Sequence, residues 1–558
     1  MTEFDFLIIG SGPAGCVLAN RLSANPNVKV GLIEAGPDKI HRHPLVRMPL
    51  AMVTFMAPAL KFLGGHKFVD WFESEPEPGL QGRRLAMPRG LGTGGSTNIN
   101  GQIFIRGQRE DYDAWEQAGC EGWGFDGVLP YFRKLERFEI LANPAEAKHL
   151  PEKLREIEPA FHGHDGPLNV APLRSINPMG HVFLKAAQQA GLKLNADFNG
   201  AVQDGAGLYM FTQKSGQRVT AESAYLTPIS NRPNLTILPN HRVTKIILDG
   251  KTAKGVELQG GRKIFAAEVI LSAGTFVSPH LLQLSGVGDK GDLQQVGIEP
   301  RHHLPGVGRN LQDHLDVTIE FRAKTAAPYG ISWRSLPRNI VHVADWFLRK
   351  RGLFASTTAE GGAFVIASLK ETRPDIQLFF CSGVANTQNA KGFSGHGFLM
   401  HACELRPKSI GRMMAKSADP KQKPSIIYNF FRGQSTFESL REGIKLGRRI
   451  VAQPAFAPHL DKEVDPGPEV ESDGAIDAFI RQTVGTLFHP VGTCKMGHDD
   501  QAVVDPRTLR VLGISGLRVV DASIMPNIVS GNTVAATYML AEKAADLILM
   551  EGRITQPS

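Results

Sequence analysis

The hydrophobic pattern of the first 34 residues predicts a strand, a glycine turn, a helix and a second strand. Apolar residues run from Phe4 to Ile9, a glycine-rich turn occupies residues 10–15, and helical spacing predicts a helix over Cys16–Leu22. A second apolar strand over Val28–Ile33 ends on Glu34. This order of strand, G-x-G-x-x-G turn, helix, strand and acid is typical of a βαβ unit that binds a dinucleotide.

The residues of this opening suit a dinucleotide for physical reasons. Gly10 permits the tight turn, Gly12 lets the backbone approach a pyrophosphate, and Gly15 lets helix and strand pack closely. The pyrophosphate would lie on the helix N-terminus, whose free N–H groups favour anions. Glu34 would accept hydrogen bonds from ribose hydroxyls and repel a 2′-phosphate, which favours FAD or NAD over NADP. The alternative is an ordinary strand-to-helix turn with no ligand.

Two further stretches predict contacts with the same ligand. Residues 88–101 contain five glycines interleaved with small polar side chains, so that backbone can lie against a flat ring or a phosphate. Near the C-terminus, the predicted strand Leu517–Ser523 carries Asp521, and a helix opens at residues 531–533 and continues to Leu549. Asn532 could contact the cofactor, cap this helix, or do both.

The middle of the chain predicts a mixed α/β (α+β) fold with two domains. Pro233–Leu238 has strand character, and Val243–Leu248 and Gly255–Leu258 predict hairpin or sheet strands. The buried strand Glu268–Gly274 then returns the chain to a parallel, Rossmann-like sheet. Residues from about 315 to 500 alternate short apolar strands with polar turns, which predicts an antiparallel sheet. We therefore predict a discontinuous cofactor domain and a discontinuous substrate-binding domain. The cofactor domain would comprise residues 1–155, 226–315 and 506–558, and the substrate domain residues 156–225 and 316–505.

A methionine-rich stretch lies close to the cofactor motifs. Met48, Met52 and Met56 have helical spacing within the apolar segment Met48–Leu60. The stripe predicts either ordinary core or a flexible apolar cover over a substrate channel. The segment is shorter than the roughly twenty residues needed to cross a bilayer, so it could only contact a membrane surface.

Composition excludes several classes of function. The chain has 558 residues, of which 42% are hydrophobic and 21% charged, and its net charge of +7 is not gathered into basic runs, so nucleic-acid binding is not expected. The five cysteines have no metal-ligand spacing, so no metal is expected, and an odd number fits a reducing, cytoplasmic compartment. They are Cys16, Cys120, Cys381, Cys403 and Cys494. A core strand begins within a few residues of Met1, which leaves no room for a secretory leader.

Several long motifs together resemble one family, the glucose-methanol-choline (GMC) flavoprotein oxidoreductases. The motifs are Gly10–Glu34, Arg89–Arg106 with Asp111–Trp115, Gly274–Gly288, Leu304–His314, Phe488–Thr493, and Val520–Pro526 through Thr533. The resemblance covers essentially the whole chain. It implies the two-domain GMC architecture, FAD as cofactor with its ring between the domains, and oxidation of an alcohol to an aldehyde by hydride transfer to flavin N5.

The resemblance also implies site residues. His489 and Asn532 would be the catalytic pair, with His489 as general base and Asn532 holding the alcohol oxygen. An imidazole suits the role because its ordinary pKa lies near neutrality, so the rate would bend there if that pKa were unshifted. The implied cofactor contacts are Gly10, Gly12, Pro13, Ala14, Gly15, Glu34, Ala35, Arg89, Gly94, Gly95, Ser96, Asn98, Asn100, Gly101, Val243, Ala273, Gly274, Asp521, Ala522, Asn532 and Thr533.

Other polar residues are further candidates for the same pocket. His314, within the motif Leu304–His314, is the rival base, and we assign it a structural role at the domain junction. His401, Glu404 and Arg406 are weaker candidates for the pocket wall. Ile99 stands where some relatives place a histidine joined to the flavin, and isoleucine has no nucleophile, so we expect FAD to be bound non-covalently.

Within the family the chain is similar to bacterial choline-dehydrogenase-like enzymes, especially the membrane-associated alcohol dehydrogenases of alkane oxidation. Asp197–Gly200, Thr212–Arg218 and Leu405–Ser409 carry this similarity. It implies an aliphatic or aryl primary alcohol, a quinone-type electron acceptor, and peripheral association with the cytoplasmic membrane face. An alcohol oxidase using O2, a hydroxynitrile lyase without net redox and a pure binding protein remain alternatives. The chain departs from its relatives at Thr93, Thr97–Ile99 and Val534–Ala536, which leaves the substrate open.

Overall fold

The computed structural model of the protein describes residues 3–56, 64–332, 335–368, 370–383, 395–431 and 437–554. Its helices are α1 (Pro13–Leu22), α2 (Pro44–Arg47), α3 (Met52–Met56), α4 (Arg109–Gln117), α5 (Phe125–Leu135), α6 (Glu139–Ala142), α7 (Pro178–Gln189), α8 (Val277–Leu284), α9 (Lys290–Gln295), α10 (Leu336–Arg349), α11 (Phe437–Val451), α12 (Asp473–Thr483) and α13 (Val534–Ile554). Its strands are β1 (Phe4–Ile9), β2 (Val30–Ile33), β3 (Val69–Glu73), β4 (Ala86–Gly90), β5 (Glu136–Phe138), β6 (Leu168–Val170), β7 (Gly205–Leu208), β8 (Gln213–Lys214), β9 (Gln217–Arg218), β10 (Leu235–Leu238), β11 (Val243–Asp249), β12 (Thr252–Leu258), β13 (Lys263–Leu271), β14 (Val287–Gly288), β15 (His302–His303), β16 (Leu315–Ala323), β17 (Gly330–Ile331), β18 (Ala359–Val365), β19 (Ile376–Cys381), β20 (Gly395–Glu404), β21 (Arg412–Met414), β22 (Ser425–Ile427), β23 (Leu460–Asp465), β24 (Gly485–Thr486) and β25 (Leu517–Val519).

A seven-stranded mixed sheet carries the dinucleotide motif. Its order is β10-β2-β1-β13-β12-β11, and β25 also pairs with β13. The strands β10, β2, β1, β13 and β25 run parallel to one another. β12 pairs antiparallel with both β13 and β11. The strand pattern of the sequence is therefore confirmed here, with β2 beginning at Val30 rather than Val28 and α1 beginning at Pro13 rather than Cys16. Proline at the start of a helix costs nothing, because the first N–H groups have no partner within the helix.

Helices from distant parts of the chain cover this sheet. α1 packs against β1, β2 and α13, and α13 also packs on α5. The Arg21 guanidinium donates two hydrogen bonds, of 2.8 and 2.7 Å, to the Glu542 carboxylate, which is fully buried. The phenol of Tyr225 donates to the same carboxylate over 2.9 Å and its ring stacks on Tyr538. The two ends of the chain are thereby joined in one core.

The second large sheet has eight antiparallel strands, as the alternation of apolar strands and polar turns over residues 315–500 predicts. Its order is β23-β16-β20-β19-β18-β7, with β17 on β20 and β24 on β16. The sequence prediction was wrong in treating this stretch as strands and turns alone, because α10, α11 and α12 lie within it. In α11, Leu440, Ile444 and Val451 are buried at helical spacing, and the helix packs across β16, β19 and β20.

The methionine-rich stretch is not one helix. Met48 lies between α2 and a 3-10 turn at Pro49–Ala51, and α3 then begins at Met52. Pro49 interrupts the helical pattern because it has no N–H to donate. Residues 57–60 of the predicted cover lie outside the described residues. The fold as a whole is the mixed α/β, two-domain class expected; the domain boundaries themselves stay a prediction.

Candidate active site

A cavity of about 410 Å³ lies between the carboxyl ends of the parallel strands and the antiparallel sheet. The first sheet contributes residues of the β1–α1 turn, and the second contributes Phe379, Leu399 and His401. An open parallel sheet places its ligand at this edge. The cavity therefore joins the predicted dinucleotide site to a wall built by the other sheet.

Most of the residues predicted to contact a cofactor do line this cavity. They are Gly10, Gly12, Pro13, Ala14, Glu34, Ala35, Arg89, Gly95, Ser96, Asn100, Gly101, Val243, Ala273, Gly274, Asp521, Ala522, Asn532 and Thr533, together with the predicted base His489. Gly15, Gly94 and Asn98 do not line it. Their contacts are internal to the two glycine-rich turns, and the roles of all these residues stay a prediction.

The first glycine turn is closed by close backbone contacts. Gly10 has φ +98°, and a Cβ at Gly15 would lie 1.9 Å from the Gly10 carbonyl oxygen. A Cβ at Gly12 would instead meet no atom nearer than 4.0 Å. Gly15 is thus needed for helix packing, whereas Gly12 leaves open space beside the helix N-terminus.

The Glu34 carboxylate ties three loops together at the edge of the cavity. Its Oε2 accepts from the backbone N–H and the hydroxyl of Ser11, at 3.1 and 2.7 Å, and its Oε1 accepts from the N–H groups of Gly36 and Gly92, at 2.8 and 3.1 Å. These four donors occupy about as many sites as a carboxylate offers. A ribose hydroxyl would share this carboxylate with the protein, and the predicted ribose contact stays a prediction.

The second glycine-rich turn packs directly on the first. A Cβ at Gly95 would lie 2.7 Å from the Gly12 Cα, so glycine is required at this contact. The Asn98 amide donates 2.9 Å hydrogen bonds to the Thr93 and Gly95 carbonyl oxygens and holds the turn closed. The Asn98 side chain therefore holds the shape of the turn, and its predicted contact with a cofactor stays a prediction.

Asp521, after β25, fixes the third motif against the same cavity. Its Oδ2 accepts from the Gly274 N–H over 2.9 Å and from the Ser278 hydroxyl over 2.5 Å, and its Oδ1 accepts from the Ser523 N–H over 2.8 Å. The strand predicted to reach Ser523 ends at Val519, because the carboxylate turns the backbone into a 3-10 turn at Ala522–Ile524.

Some polar groups in the wall of the cavity have no hydrogen-bond partner within the protein. Gln102 lines it, is 1% exposed, and neither its amide nitrogen nor its amide oxygen has a hydrogen-bond partner. Gly12 precedes α1 and provides no side-chain cap, so N–H groups of the first turn are also open to an acceptor. Buried polar groups without partners are costly, and a polar ligand would satisfy them. These residues fit the pyrophosphate and ring edge of FAD.

The candidate base His489 lines the same cavity as the β1–α1 turn. His489 lies three residues after the end of β24, and Asn532 lies two residues before the start of α13. The His489 Nε2 and the Asn532 amide nitrogen are 3.2 Å apart. Phe488 adopts φ +64°, which is strained for a bulky residue, and its carbonyl oxygen accepts a 3.1 Å bond from Arg89. The strained turn aims the imidazole into the cavity.

A buried carboxylate holds the backbone of the base. Asp313 Oδ1 accepts from the His489 N–H over 2.8 Å, while its Oδ2 accepts from the Thr486 hydroxyl and, over 3.1 Å, from the Tyr428 hydroxyl. Burial raises the pKa of Asp313 to about 6, against these hydrogen bonds and the charge of Arg89. Asp313 positions His489 without reaching the cavity.

His314 determines which nitrogen of His489 carries the proton. The His314 Nε2 donates to the Leu405 carbonyl oxygen over 3.1 Å, since a carbonyl can only accept. A neutral His314 then accepts at Nδ1, which lies 2.9 Å from the His489 Nδ1. His489 must therefore carry its proton on Nδ1 and present the lone pair of Nε2 to Asn532 and the cavity.

Both imidazoles are held neutral at working pH. Burial lowers the pKa of His314 to about 4, against the pull of the Leu405 and Val529 carbonyl groups. Burial, with His314 and Arg89 adding to the effect, lowers the pKa of His489 well below its ordinary value. A neutral imidazole is the form that a general base requires.

Two residues that sequence analysis missed orient Asn532. The amide nitrogen of Gln377, in β19, lies 3.5 Å from the Asn532 amide oxygen and 3.2 Å from the Tyr209 hydroxyl oxygen. This directs the Asn532 Nδ2 toward His489. The signal was one amide within the otherwise apolar strand Ile376–Cys381.

The wall that the antiparallel sheet contributes is largely apolar but contains one ion pair. His401 lines the cavity, and its Nδ1 lies 2.8 Å from the buried Asp316 Oδ2. Burial opposes the charge of His401, but Asp316 and Cys381 outweigh it and hold the His401 pKa well above its ordinary value. Glu404 and Arg406, the other candidates for this wall, do not line the cavity; Arg406 pairs with Glu371 at 2.5 Å.

Among the described residues, no helix is long and apolar enough to cross a membrane. Over the same residues, no cluster of histidine, cysteine and acidic side chains could hold a metal ion. All five cysteines are buried and free.

The fold and the cavity define a two-domain oxidoreductase of the flavoprotein class. The N-terminal sequence profile described as GMC oxidoreductase matches residues 4–316, and the C-terminal profile of the same description matches residues 407–541. The chain belongs to the GMC oxidoreductase family. It is an FAD-dependent oxidoreductase that acts on alcohols.

Similar proteins share nearly the full length of the chain. An alcohol dehydrogenase (acceptor) from Pseudomonas putida is 41% identical over 98% of this chain and 96% of its own. An oxygen-dependent choline dehydrogenase from Photobacterium profundum is 38% identical over 98% and 93%. A crystal structure of pyridoxine 4-oxidase from Mesorbium loti superposes with a TM-score of 0.84, 29% identity and coverage of 98% and 99%.

Proposed function

We propose that the protein is a dehydrogenase of neutral, apolar primary alcohols, with His489 as general base and a quinone-type compound as electron acceptor. The observation that carries the chemistry is the pair of His489 and Asn532 in the wall of the cavity. The lone pair of the His489 Nε2 and the N–H of the Asn532 amide converge there, with the two nitrogen atoms 3.2 Å apart.

The protein's own part in the reaction follows from that geometry. The alcohol hydroxyl donates its proton to the His489 Nε2, and the Asn532 Nδ2 donates a hydrogen bond to the alcohol oxygen. When bound, FAD would supply the hydride acceptor for the alcohol carbon, and the alcohol would become the aldehyde. The new imidazolium keeps its Nδ1–H on His314, so the base takes up a proton without changing its other hydrogen bond.

The charges of the cavity support a neutral substrate over a cationic one. His401 presents the positive partner of its ion pair to the cavity, while Asp316 is fully buried behind it. The other carboxylates that line the described cavity are engaged. Glu34 and Asp521 accept hydrogen bonds from the backbone, and Asp70 pairs with Lys423 at 2.7 Å. A quaternary ammonium group would thus lack a free anionic partner here.

The names of the relatives support two acceptors. The Pseudomonas putida relative is named for a general acceptor, whereas the Photobacterium profundum relative is named oxygen-dependent. We favour a quinone-type acceptor because of the greater likeness to the first. An alcohol oxidase that uses O2 is the second candidate. We further propose a peripheral position at the cytoplasmic membrane face, where a quinone would be available.

One experiment tests substrate and acceptor together. Holoenzyme is mixed anaerobically with choline or with 3,3-dimethyl-1-butanol, its neutral isostere, and the bleaching of the flavin is followed by absorbance. We expect rapid bleaching with the neutral alcohol and little with choline. Reoxidation is then timed with a soluble quinone or with air. Faster bleaching by choline would overturn the substrate proposal, and equal reoxidation by air would make the protein an oxidase.

A further inference from the structure

The surface of α10 is unlike that of any other described helix. Of the large hydrophobic residues that are exposed in the described chain, five belong to this one helix. They are Ile340, Val341, Val343, Phe347 and Leu348, with exposed fractions of 62%, 63%, 41%, 59% and 82%. At 100° per residue they occupy one arc of roughly 160°. Apolar surface concentrated in this way marks an interaction site.

The opposite side of α10 is anchored to the protein. Trp346 is 3% exposed, and its indole N–H donates a 3.4 Å hydrogen bond to the Gly216 carbonyl oxygen in the turn between β8 and β9. The end of the helix is held by a 3.0 Å bond from the Gly352 N–H to the Ser175 hydroxyl. The helix is therefore a fixed part of the surface with its apolar side turned outward.

The charge around this helix is positive. Four basic residues and one acidic residue lie between 336 and 351. Three of the basic residues are consecutive at the C-terminal end, at 349–351, and the Arg349 side chain is 77% exposed. Lys350 lies 4.2 Å from the centre of the Trp346 ring, beside the apolar arc. An apolar face with an adjoining basic cluster is the composition of a helix that lies in the interface of an anionic bilayer.

The helix is also connected to the cavity. A 3-10 turn at Leu353–Ala355 packs against both α10 and the turn Pro49–Ala51. The residues that follow these turns, Met52 and Thr357 among them, line the cavity. A molecule dissolved in the bilayer would thus meet the protein next to the walls of its active site.

We propose that α10 is the membrane-docking element of this protein and that it lies on the surface of an anionic bilayer, with its apolar arc among the acyl chains and residues 349–351 at the headgroups. This inference rests on the peripheral membrane position proposed above, and it assigns that contact to one helix.

The test is sedimentation of the full-length holoenzyme with vesicles of phosphatidylcholine, with and without about 30% phosphatidylglycerol. The variant F347S/L348S removes apolar area from the arc. The matched control V202S/I410S removes similarly exposed residues elsewhere, with exposed fractions of 63% and 56%. The charge variant R349Q/R351Q tests the headgroup contact.

We expect the wild type and V202S/I410S to sediment with anionic vesicles. F347S/L348S should lose at least about tenfold in partition constant, since burying a Phe or Leu side chain contributes that much or more. R349Q/R351Q should lose the preference for phosphatidylglycerol. Flavin reduction by alcohol without vesicles should be unchanged in all three variants, and its failure in the wild type would count against the proposed function alone.

Two results would overturn the inference. One is equal sedimentation of F347S/L348S and the wild type. The other is a wild type that ignores the vesicles; if it is dimeric by light scattering while F347S/L348S is monomeric, the apolar arc belongs to a second copy of the chain.

Discussion

At the scale of residues, a line of four groups determines the chemistry. The Leu405 carbonyl oxygen accepts from His314, His314 accepts from the His489 Nδ1–H, and the His489 Nε2 accepts from Asn532. Because the carbonyl oxygen at the start of this line can only accept, each following group is fixed as a donor on one side and an acceptor on the other. The tautomer of the base is therefore set by the backbone carbonyl of Leu405, directly after β20 of the antiparallel sheet.

The pH dependence of kcat/KM should show the effect of burial on the pKa of His489. The base works when neutral, so activity is present above the His489 pKa and is lost as pH falls through it. Since burial, His314 and Arg89 lower that pKa well below 6.5, we expect kcat/KM to be constant through neutrality and to bend only in the acid range. A bend near 6.5, as the unshifted imidazole would give, would contradict the desolvated site.

At the same scale, we predict that no covalent bond joins the protein to the flavin. Ile99 lines the cavity and is 3% exposed, and its side chain has no nucleophilic atom. We expect acid precipitation of the holoenzyme to leave the yellow colour in the supernatant. Flavin absorbance that stays with the washed pellet would show a covalent link through another residue.

At the scale of elements, the two glycine-rich turns act as one unit. Gly12 is in contact with Gly95, and Glu34 bonds to both turns. The glycines nevertheless serve different purposes, because a Cβ at Gly15 would meet the Gly10 carbonyl oxygen and a Cβ at Gly12 would meet open space. Substitution by alanine can separate the two.

We expect G12A to leave the stability of the FAD-free protein unchanged and to weaken FAD binding by at least about tenfold, because the methyl group enters ligand space. G15A should lower the free energy of unfolding of the FAD-free protein itself by about 1–3 kcal/mol or more, because the backbone must move. Chemical unfolding and flavin titration measure the two quantities. If G12A bound FAD like the wild type, the pyrophosphate would lie elsewhere.

At this scale the sequence predicts the elements whose structure is decided by local pattern. Alternation and glycine spacing predicted β1, α1 and β2, because these elements are consecutive and their turn has few solutions. The same reasoning failed for Met48–Met56, where Pro49 breaks the pattern, and for α10–α12 within the antiparallel stretch. Those helices have their apolar faces at helical spacing, so a period of 3.6 residues was the signal that was missed.

At the scale of the whole molecule, the active site exists only where the two sheets meet. The motifs name His489 and Asn532, but their partners His314 and Gln377 are 175 and 155 residues away along the chain. Such contacts depend on strand pairing across the antiparallel sheet, which no local pattern encodes. The His401–Asp316 ion pair has the same origin, since it joins β20 to β16.

Buried carboxyl groups should make the whole protein less stable as pH rises above neutrality. Burial raises the pKa of Glu360 to about 7, and burial together with Asp375 raises the pKa of Glu404 to about 8. An acid whose folded pKa is raised contributes most below its unfolded value near 4.5, and the contribution is lost as pH rises to the folded value. Each pKa unit corresponds to about 1.4 kcal/mol.

We therefore expect Tm to fall between pH 6.5 and pH 8. Below 6.5 the buried neutral imidazoles oppose this trend, because unfolding lets them take up protons. E404Q carries no charge, so it should show a smaller fall and should be more stable than the wild type at pH 8. Calorimetry at the two pH values measures both effects. An E404Q protein that is less stable than the wild type at pH 8 would show that the carboxylate is paired.

The most direct test of the account is anaerobic stopped-flow reduction of the bound flavin by a neutral primary alcohol in wild type and H489A. We expect H489A to retain FAD, because the residues that fit its pyrophosphate belong to the β1–α1 turn, of which His489 is not a part. The reduction rate should fall by roughly a hundred- to ten-thousand-fold, the range of a positioned general base. An H489A protein that keeps its flavin and reduces it at the wild-type rate would remove His489 from the mechanism and leave His314 as the remaining base.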